Sequence, residues 1–190
     1  MPRSFAALFC SALFATGAAV IPCGDRAEAA PAATFALTSP AFASGGAIPS
    51  RFTCEGEGTS LPLAWSAPPQ GTRSLALIME DPDAPDPRAP QRVWVHWVLY
   101  NLSPNAGALP EGAASALPTG TRTGRNDGGR ATYAGPCPPI GSHRYFLKLY
   151  ALDVVLPDLG EPTKAQLQAA FSGHVLAETE LMGRYQKKAR

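Results

Sequence analysis

Leu75-Ala76-Leu77-Ile78-Met79-Glu80-Asp81-Pro82-Asp83-Ala84-Pro85 begins as an almost wholly apolar run and ends in a turn of aspartates and prolines. Side chains of a strand alternate between faces. Here Leu75, Leu77 and Met79 alternate with Ala76, Ile78 and Glu80, which predicts a strand in a sheet covered on both sides. Two further runs have the same character. From Val93 to Asn101, alternation sets Val95, Trp97 and Leu99 against Trp94, His96, Val98 and Tyr100; from His143 to Asp153, His143, Tyr145, Leu147, Leu149 and Ala151 face one way. Trp94 therefore shares a side with His96, and His143 with Tyr145. If those two sides meet beside the Asp81–Pro85 turn, the chain has a polar pocket, open at this point to binding, catalysis or metal ligation.

The remainder is short strands and turns. Thr34–Thr38 predicts an opening strand, and 20 prolines and 18 glycines punctuate the 190 residues. Charged residues are 16% of the chain, against about 25% in typical domains. Thr163 with Gln166 forms a capping-box pattern before Leu167, Ala169, Ala170 and Phe171, and Gly173 stops that single short helix. Val175 to Tyr185 alternates and predicts a last strand. Leu102 to Tyr133 is rich in turns, with Asn126-Asp127-Gly128 the clearest.

Residues 1–29 have the form of a cleaved secretory signal. Arg3 precedes an apolar run to Ile21, and Ala27 and Ala29 supply the small residues of a cut site. Cys23 could serve lipid attachment, but Pro22 before it fits that signal poorly. Residues 30–190 then form a single domain, exported to the periplasm or secreted, with no other stretch approaching the roughly 18 to 20 apolar residues of a membrane span. A net charge of +1 gives no basis for binding nucleic acid. Of four cysteines, Cys54 and Cys137 survive the cut; a disulfide and two free buried thiols are both compatible with them.

Longer strings occur in order. They are Phe52-Thr53-Cys54-Glu55-Gly56-Glu57, Pro62-Leu63-Ala64-Trp65, Asp81-Pro82-Asp83-Ala84-Pro85, Trp94-Val95-His96-Trp97-Val98, Gly124-Arg125-Asn126-Asp127, Gly135-Pro136-Cys137-Pro138-Pro139, His143-Arg144-Tyr145 and Gly173-His174-Val175-Leu176-Ala177. Each is weak alone. Together, from about Phe35 to Tyr185, they resemble the bacterial Raf-kinase-inhibitor-like branch of the phosphatidylethanolamine-binding protein family.

That resemblance implies a mainly β fold, an antiparallel β-sandwich with a few short helices, and a small anion pocket at one end. It implies a ligand-binding set of Asp81, Trp94, His96, Gly135, Pro136, His143 and Tyr145, with histidines, a tyrosine hydroxyl and a Gly135 amide as donors to phosphate oxygens. Asp81 would orient a histidine or accept from the ligand, and Asp83 and Arg144 would form a structural ion pair behind the site. This chain departs from the pattern at Ser60-Leu61-Pro62 and at Gly128, where an aromatic is usual, implying a more open rim. The implied function is non-enzymatic binding of a small anionic or phosphate-bearing ligand, without cofactor or metal. An inhibitor acting on an envelope or extracellular protein partner is the alternative. A His/Asp hydrolase or a two-His, one-carboxylate metal site fits less well, because no Gly-x-Ser-x-Gly elbow and no His-Glu-x-x-His is present. Oligomeric state is not set by these features.

Overall fold

The computed structural model describes residues 34–188; the expected signal segment lies outside them. In chain order the elements are β1 (Leu37–Thr38), β2 (Leu63–Trp65), β3 (Ser74–Ala84), β4 (Arg92–Leu102), β5 (Ala108–Leu109), β6 (Arg122–Gly124), β7 (Ser142–Leu152), α1 (Lys164–Ala170) and β8 (Val175–Gln186), with single 3-10 turns at Ser50–Phe52, Pro104–Ala106 and Ala113–Ser115. They form two antiparallel sheets, β1-β2-β5 and β6-β4-β3-β7-β8. Neither closes on itself. The expected sandwich with one helix is the observed architecture.

The larger sheet is apolar on both faces because a different layer covers each. Leu75, Leu77, Met79, Trp97, Leu99, Leu147 and Leu149 point toward Leu37, Leu63, Trp65 and Leu109 of the smaller sheet. Ala76, Ile78, Val98 and Tyr100 point the other way, beneath Leu167 and Phe171 at α1. Central β3 is sandwiched by both, which explains its nearly continuous apolar sequence. α1 starts as expected: Thr163 Oγ1 accepts from the Gln166 N–H, and Gln166 Oε1 accepts from the Thr163 N–H.

Three expectations are revised. The opening strand pairs with β2 only at Leu37–Thr38, because Ser66 Oγ takes the Ala36 N–H and Ser39 turns back to bridge Phe42 ahead of any longer ladder. The turn expected at Asp81–Pro85 is instead the bent end of β3, which continues to Ala84 before a cis Ala84–Pro85 bond. The stretch Leu102 to Tyr133 is not a bare loop, since it contains β5 and β6.

β4 does not alternate regularly. Leu75 pairs with Leu102 while Leu77 pairs with Leu99, so β4 holds one residue more than β3 over this interval. Asn101 takes up the excess at φ 55°. Its side-chain amide substitutes for a neighbouring strand, accepting from Leu156 N at 3.0 Å and donating to Leu156 O at 2.9 Å. The shift returns Leu102 to the core between the sheets.

The segment before residue 50 is seated on β8 at Gly183, where an added Cβ would lie 2.6 Å from Ile48 Cγ1 and 2.7 Å from Phe42 Cε2. Gly183→Ala is therefore expected to lower stability by about 1–3 kcal/mol through overpacking, read as a fall in the urea midpoint at constant m. An unchanged midpoint would show that Phe42 and Ile48 do not pack on β8.

Candidate functional site

Strict alternation would separate the two histidines. It places His96 on the α1 side with Val98 and Tyr100, and His143 on the inter-sheet side with Tyr145 and Leu147. The structure brings them together through a second irregularity: Met79 pairs with Trp97, but the next residue, Glu80, pairs with Val95. His96 is the extra residue. Val95 consequently joins Val98 in the core under α1, and His96 turns to the inter-sheet side, edge-on to Tyr145 at a centroid distance of 5.2 Å. The alternation expected for Val95 and His96 is thus reversed by one inserted residue.

Past the end of β6, the free edge of β4 is held by the loop after Gly124. Asp127 N donates to Val95 O and Val95 N to Asp127 Oδ2, both at 3.0 Å, and Ala134 N donates to His96 O at 2.9 Å. Buried Asn126 shapes this loop from inside, accepting from Arg130 N and donating to Thr132 O. The His96 ring completes the join, because its Nδ1 donates to Ala134 O at 2.7 Å. That fixes the neutral tautomer with an unprotonated Nε2. Burial holds the His96 pKa below the ordinary imidazole value, against opposing pulls from Ala134 O, Asp81 and Asp127.

On the other side of β3, ladder pairing with β7 ends at Glu80–Phe146, and two aspartates take over. Asp81 Oδ2 accepts from His143 Nδ1 at 2.7 Å, and Asp81 Oδ1 accepts from Asp83 N at 2.8 Å. His143 Nε2 lies 3.0 Å from Ile140 O. A carboxylate and a carbonyl therefore face its two ring nitrogens, and neither nitrogen is left for a group outside the protein. Asp83 accepts the backbone N–H of Arg144 and a two-pronged guanidinium contact at 2.9 and 2.6 Å. Those bonds hold its carboxyl below the ordinary aspartate range despite burial.

Above these groups opens a cavity of about 630 Å³. Asp81, His96 and His143 are buried at its base. Trp94 forms one wall, with the Arg92 guanidinium stacked over its ring at 4.2 Å. Gly128 and Arg130 come from the loop after β6, and Gly135, Cys137, Pro138 and Pro139 close the far side. Arg92 and Arg130 are exposed cations that make no ion pair among the described residues.

Five of the seven expected ligand residues meet here: Asp81, Trp94, His96, Gly135 and His143. Two do not line the cavity. Tyr145 is fully buried beneath the histidines, its hydroxyl without a partner among the described residues and its pKa pushed far upward by burial. Pro136 is buried behind the wall, where its carbonyl accepts from Cys54 N at 3.1 Å. Cys54 and Cys137 are paired there with Cα atoms 5.4 Å apart, within disulfide range. Gly135 permits this close approach, since a Cβ would lie 2.8 Å from Phe52 O. His143 also differs from expectation: both ring nitrogens are occupied within the protein, leaving none to donate to a ligand. Arg92 and Arg130 were not foreseen, although Arg92 stands two residues before Trp94 and so shares its face.

Comparison with known proteins agrees with this architecture. The family model for phosphatidylethanolamine-binding protein matches residues 38–186. A UPF0098 protein of Methanothermobacter thermautotrophicus is 47% identical over 153 residues, covering 80% of this chain and 98% of that protein. The crystal structure of CT736 from Chlamydia trachomatis, a candidate phosphatidylethanolamine-binding protein homolog, superposes with a TM-score of 0.75 at 45% identity, over 81% of this chain and 98% of that one. A Mycobacterium tuberculosis protein named as a candidate lipoprotein, LppC, is 36% identical over 165 residues, 85% of this chain and 78% of that protein.

The depressed His96 pKa fixes the sign of a pH effect. The unfolded chain, with an imidazole pKa of about 6.5, takes up a proton before the folded one does. This contribution to stability is complete above that pH and is lost as pH falls toward the lower folded value. Urea midpoints are expected to drop between about pH 7 and pH 5 in the native protein and to vary less in His96→Phe; equal slopes would mean that His96 is not held neutral.

Proposed function

The chain belongs to the phosphatidylethanolamine-binding protein family, and from that premise we propose that it binds small anionic, phosphate-bearing ligands in the cavity above Asp81 and His143. The observation that carries this reading is the pair of unpaired guanidinium groups, Arg92 and Arg130, lining one cavity with a neutral imidazole at its base. Guanidinium groups match oxyanions in geometry and charge. Asp81 is engaged by His143 Nδ1 at 2.7 Å and forms no ion pair with either guanidinium group among the described residues.

Binding rather than turnover fits the lining. Among the described residues no serine, threonine or lysine lines the cavity, and Cys137 is paired with Cys54. His96 therefore lacks a protein nucleophile to activate.

We further read the mature chain as exported. The leader composition supports this, as does the lipoprotein name of the M. tuberculosis relative. No helix among the described residues is long and apolar enough to cross a membrane. In an oxidising compartment Cys54 and Cys137 form a disulfide that ties the Gly135–Pro139 wall to the turn at Ser50–Phe52.

Calorimetric titration with inorganic phosphate is expected to show binding that Arg92→Ala and Arg130→Ala each weaken by about fivefold, the scale of one exposed charge contact of about 1 kcal/mol. Unaltered affinity in both variants would refute the site. Alkylation of the exported protein without reductant should leave Cys54 and Cys137 unlabelled in its mass spectrum; two labelled thiols would refute the bridge.

A further inference from the structure

The side-chain atoms at the base of the cavity are acceptors. His96 has its one ring proton on Nδ1, spent on Ala134 O. Its Nε2 has no partner among the described residues and is not sealed from solvent, which leaves the lone pair facing the cavity that the ring lines. Asp81 offers two carboxylate oxygens, each with one bond made and a second lone pair to spare. His143 adds no donor, because its two ring nitrogens face Asp81 Oδ2 and Ile140 O within the protein. The side-chain donors lining this cavity are the exposed guanidinium groups of Arg92 and Arg130, the amide of exposed Gln91 and the indole N–H of Trp94.

An oxyanion entering such a site meets positive charge at the rim and lone pairs at the floor. A phosphate with no proton left, whether a monoester dianion or a diester monoanion, would press oxygen lone pairs against Asp81 and His96 and leave buried acceptors unsatisfied, which is costly. A phosphate oxygen that still carries hydrogen turns the same contact into a charge-assisted hydrogen bond.

We propose that this site selects oxyanions that retain an acidic proton, taking phosphate monoesters as monoanions in preference to diesters of equal charge. The proposal rests on the anion-binding reading above and narrows it. The charged and titratable groups around the floor are consistent with it. His143 on β7 is matched to Asp81, and Asp83 on β3 to Arg144. Asp127 in the loop after β6 is tied to Val95 N. Arg92 on β4 and Arg130 in that loop stay cationic at every relevant pH. Burial holds the His96 pKa below the ordinary imidazole value. The ligand changes its own hydrogen-bonding character across this range, since a phosphate monoester loses its second proton near pH 6.

Ethyl phosphate and dimethyl phosphate test this cleanly, being isomers that each carry one negative charge at about pH 5 while only the former keeps an acidic hydrogen. Calorimetric titration of the full mature chain at that pH is expected to give at least about tenfold tighter binding of ethyl phosphate. Raising the pH to about 8 should weaken ethyl phosphate, despite its added charge, and leave dimethyl phosphate unchanged. Asp81→Asn, which offers the floor an amide donor, should bring the ratio of the two affinities toward one. Equal affinities for the isomers in the native protein would overturn the proposal while leaving an anion site standing. Tighter ethyl phosphate binding at pH 8 than at pH 5 would overturn it as well. If neither ester nor inorganic phosphate binds, the anion-binding reading fails first.

Discussion

One residue too many in β4 organises this molecule. A sheet face is set by parity, so a single insertion exchanges the sides of every residue beyond it. The insertion at His96 sends Val95 into the core beneath α1 and swings the imidazole toward Tyr145 and β7. Without it, the two histidines would sit on opposite faces of the same sheet, each in an apolar core. The backbone it displaces is not wasted, for Val95 and His96 present their polar atoms to Asp127 and Ala134, and the loop that answers them carries Arg130.

The far side of β3 meets a related difficulty by other means. Where its ladder to β7 ends, Asp81 and Asp83 supply acceptors in place of main-chain carbonyls. Buried carboxylates are tolerated only when paired and hydrogen-bonded. Each has a basic partner, His143 or Arg144, and each also takes a backbone N–H, from Asp83 or Arg144 respectively. The pairs divide the work: Asp83–Arg144 closes the end of the β3–β7 ladder, whereas Asp81–His143 forms the base of a cavity. A third buried carboxylate stands on the opposite face, where Glu80 meets Lys148 and Lys164 and joins α1 to the sheet. Burial raises the Glu80 pKa, but the two lysines outweigh it and the carboxyl titrates below its ordinary value.

Much of this was legible in the chain before the fold was known. The three long strands, the capping box at Thr163 and the alternation of the last strand rest on local periodicity, which survives folding because each element buries a continuous face. The pocket strings carried the site's membership for Asp81, Trp94, His96, Gly135 and His143. Register was not legible. Whether β4 holds an extra residue at His96 or at Asn101 is decided by pairing with β3, and no window confined to β4 contains that information. Donor direction was hidden for the same reason: His143 looks like a ligand donor until Ile140 O is found against its second nitrogen. The depth of Tyr145 was not legible either, because parity shows which side a ring faces but not how far beneath the cavity it lies.

Asn101 has a consequence of another kind. It is followed by Leu102 and Ser103, the acceptor pattern for an N-linked sugar. Yet the amide nitrogen that would receive the glycan is the one held by Leu156 O, inside the irregular end of β4. A glycan would replace one of the two amide hydrogens and leave a single N–H for Leu156 O, so modification and native pairing would compete for the same small group. Pro104 directly after the pattern disfavours its use as well. An expression host without N-linked transfer avoids the competition altogether.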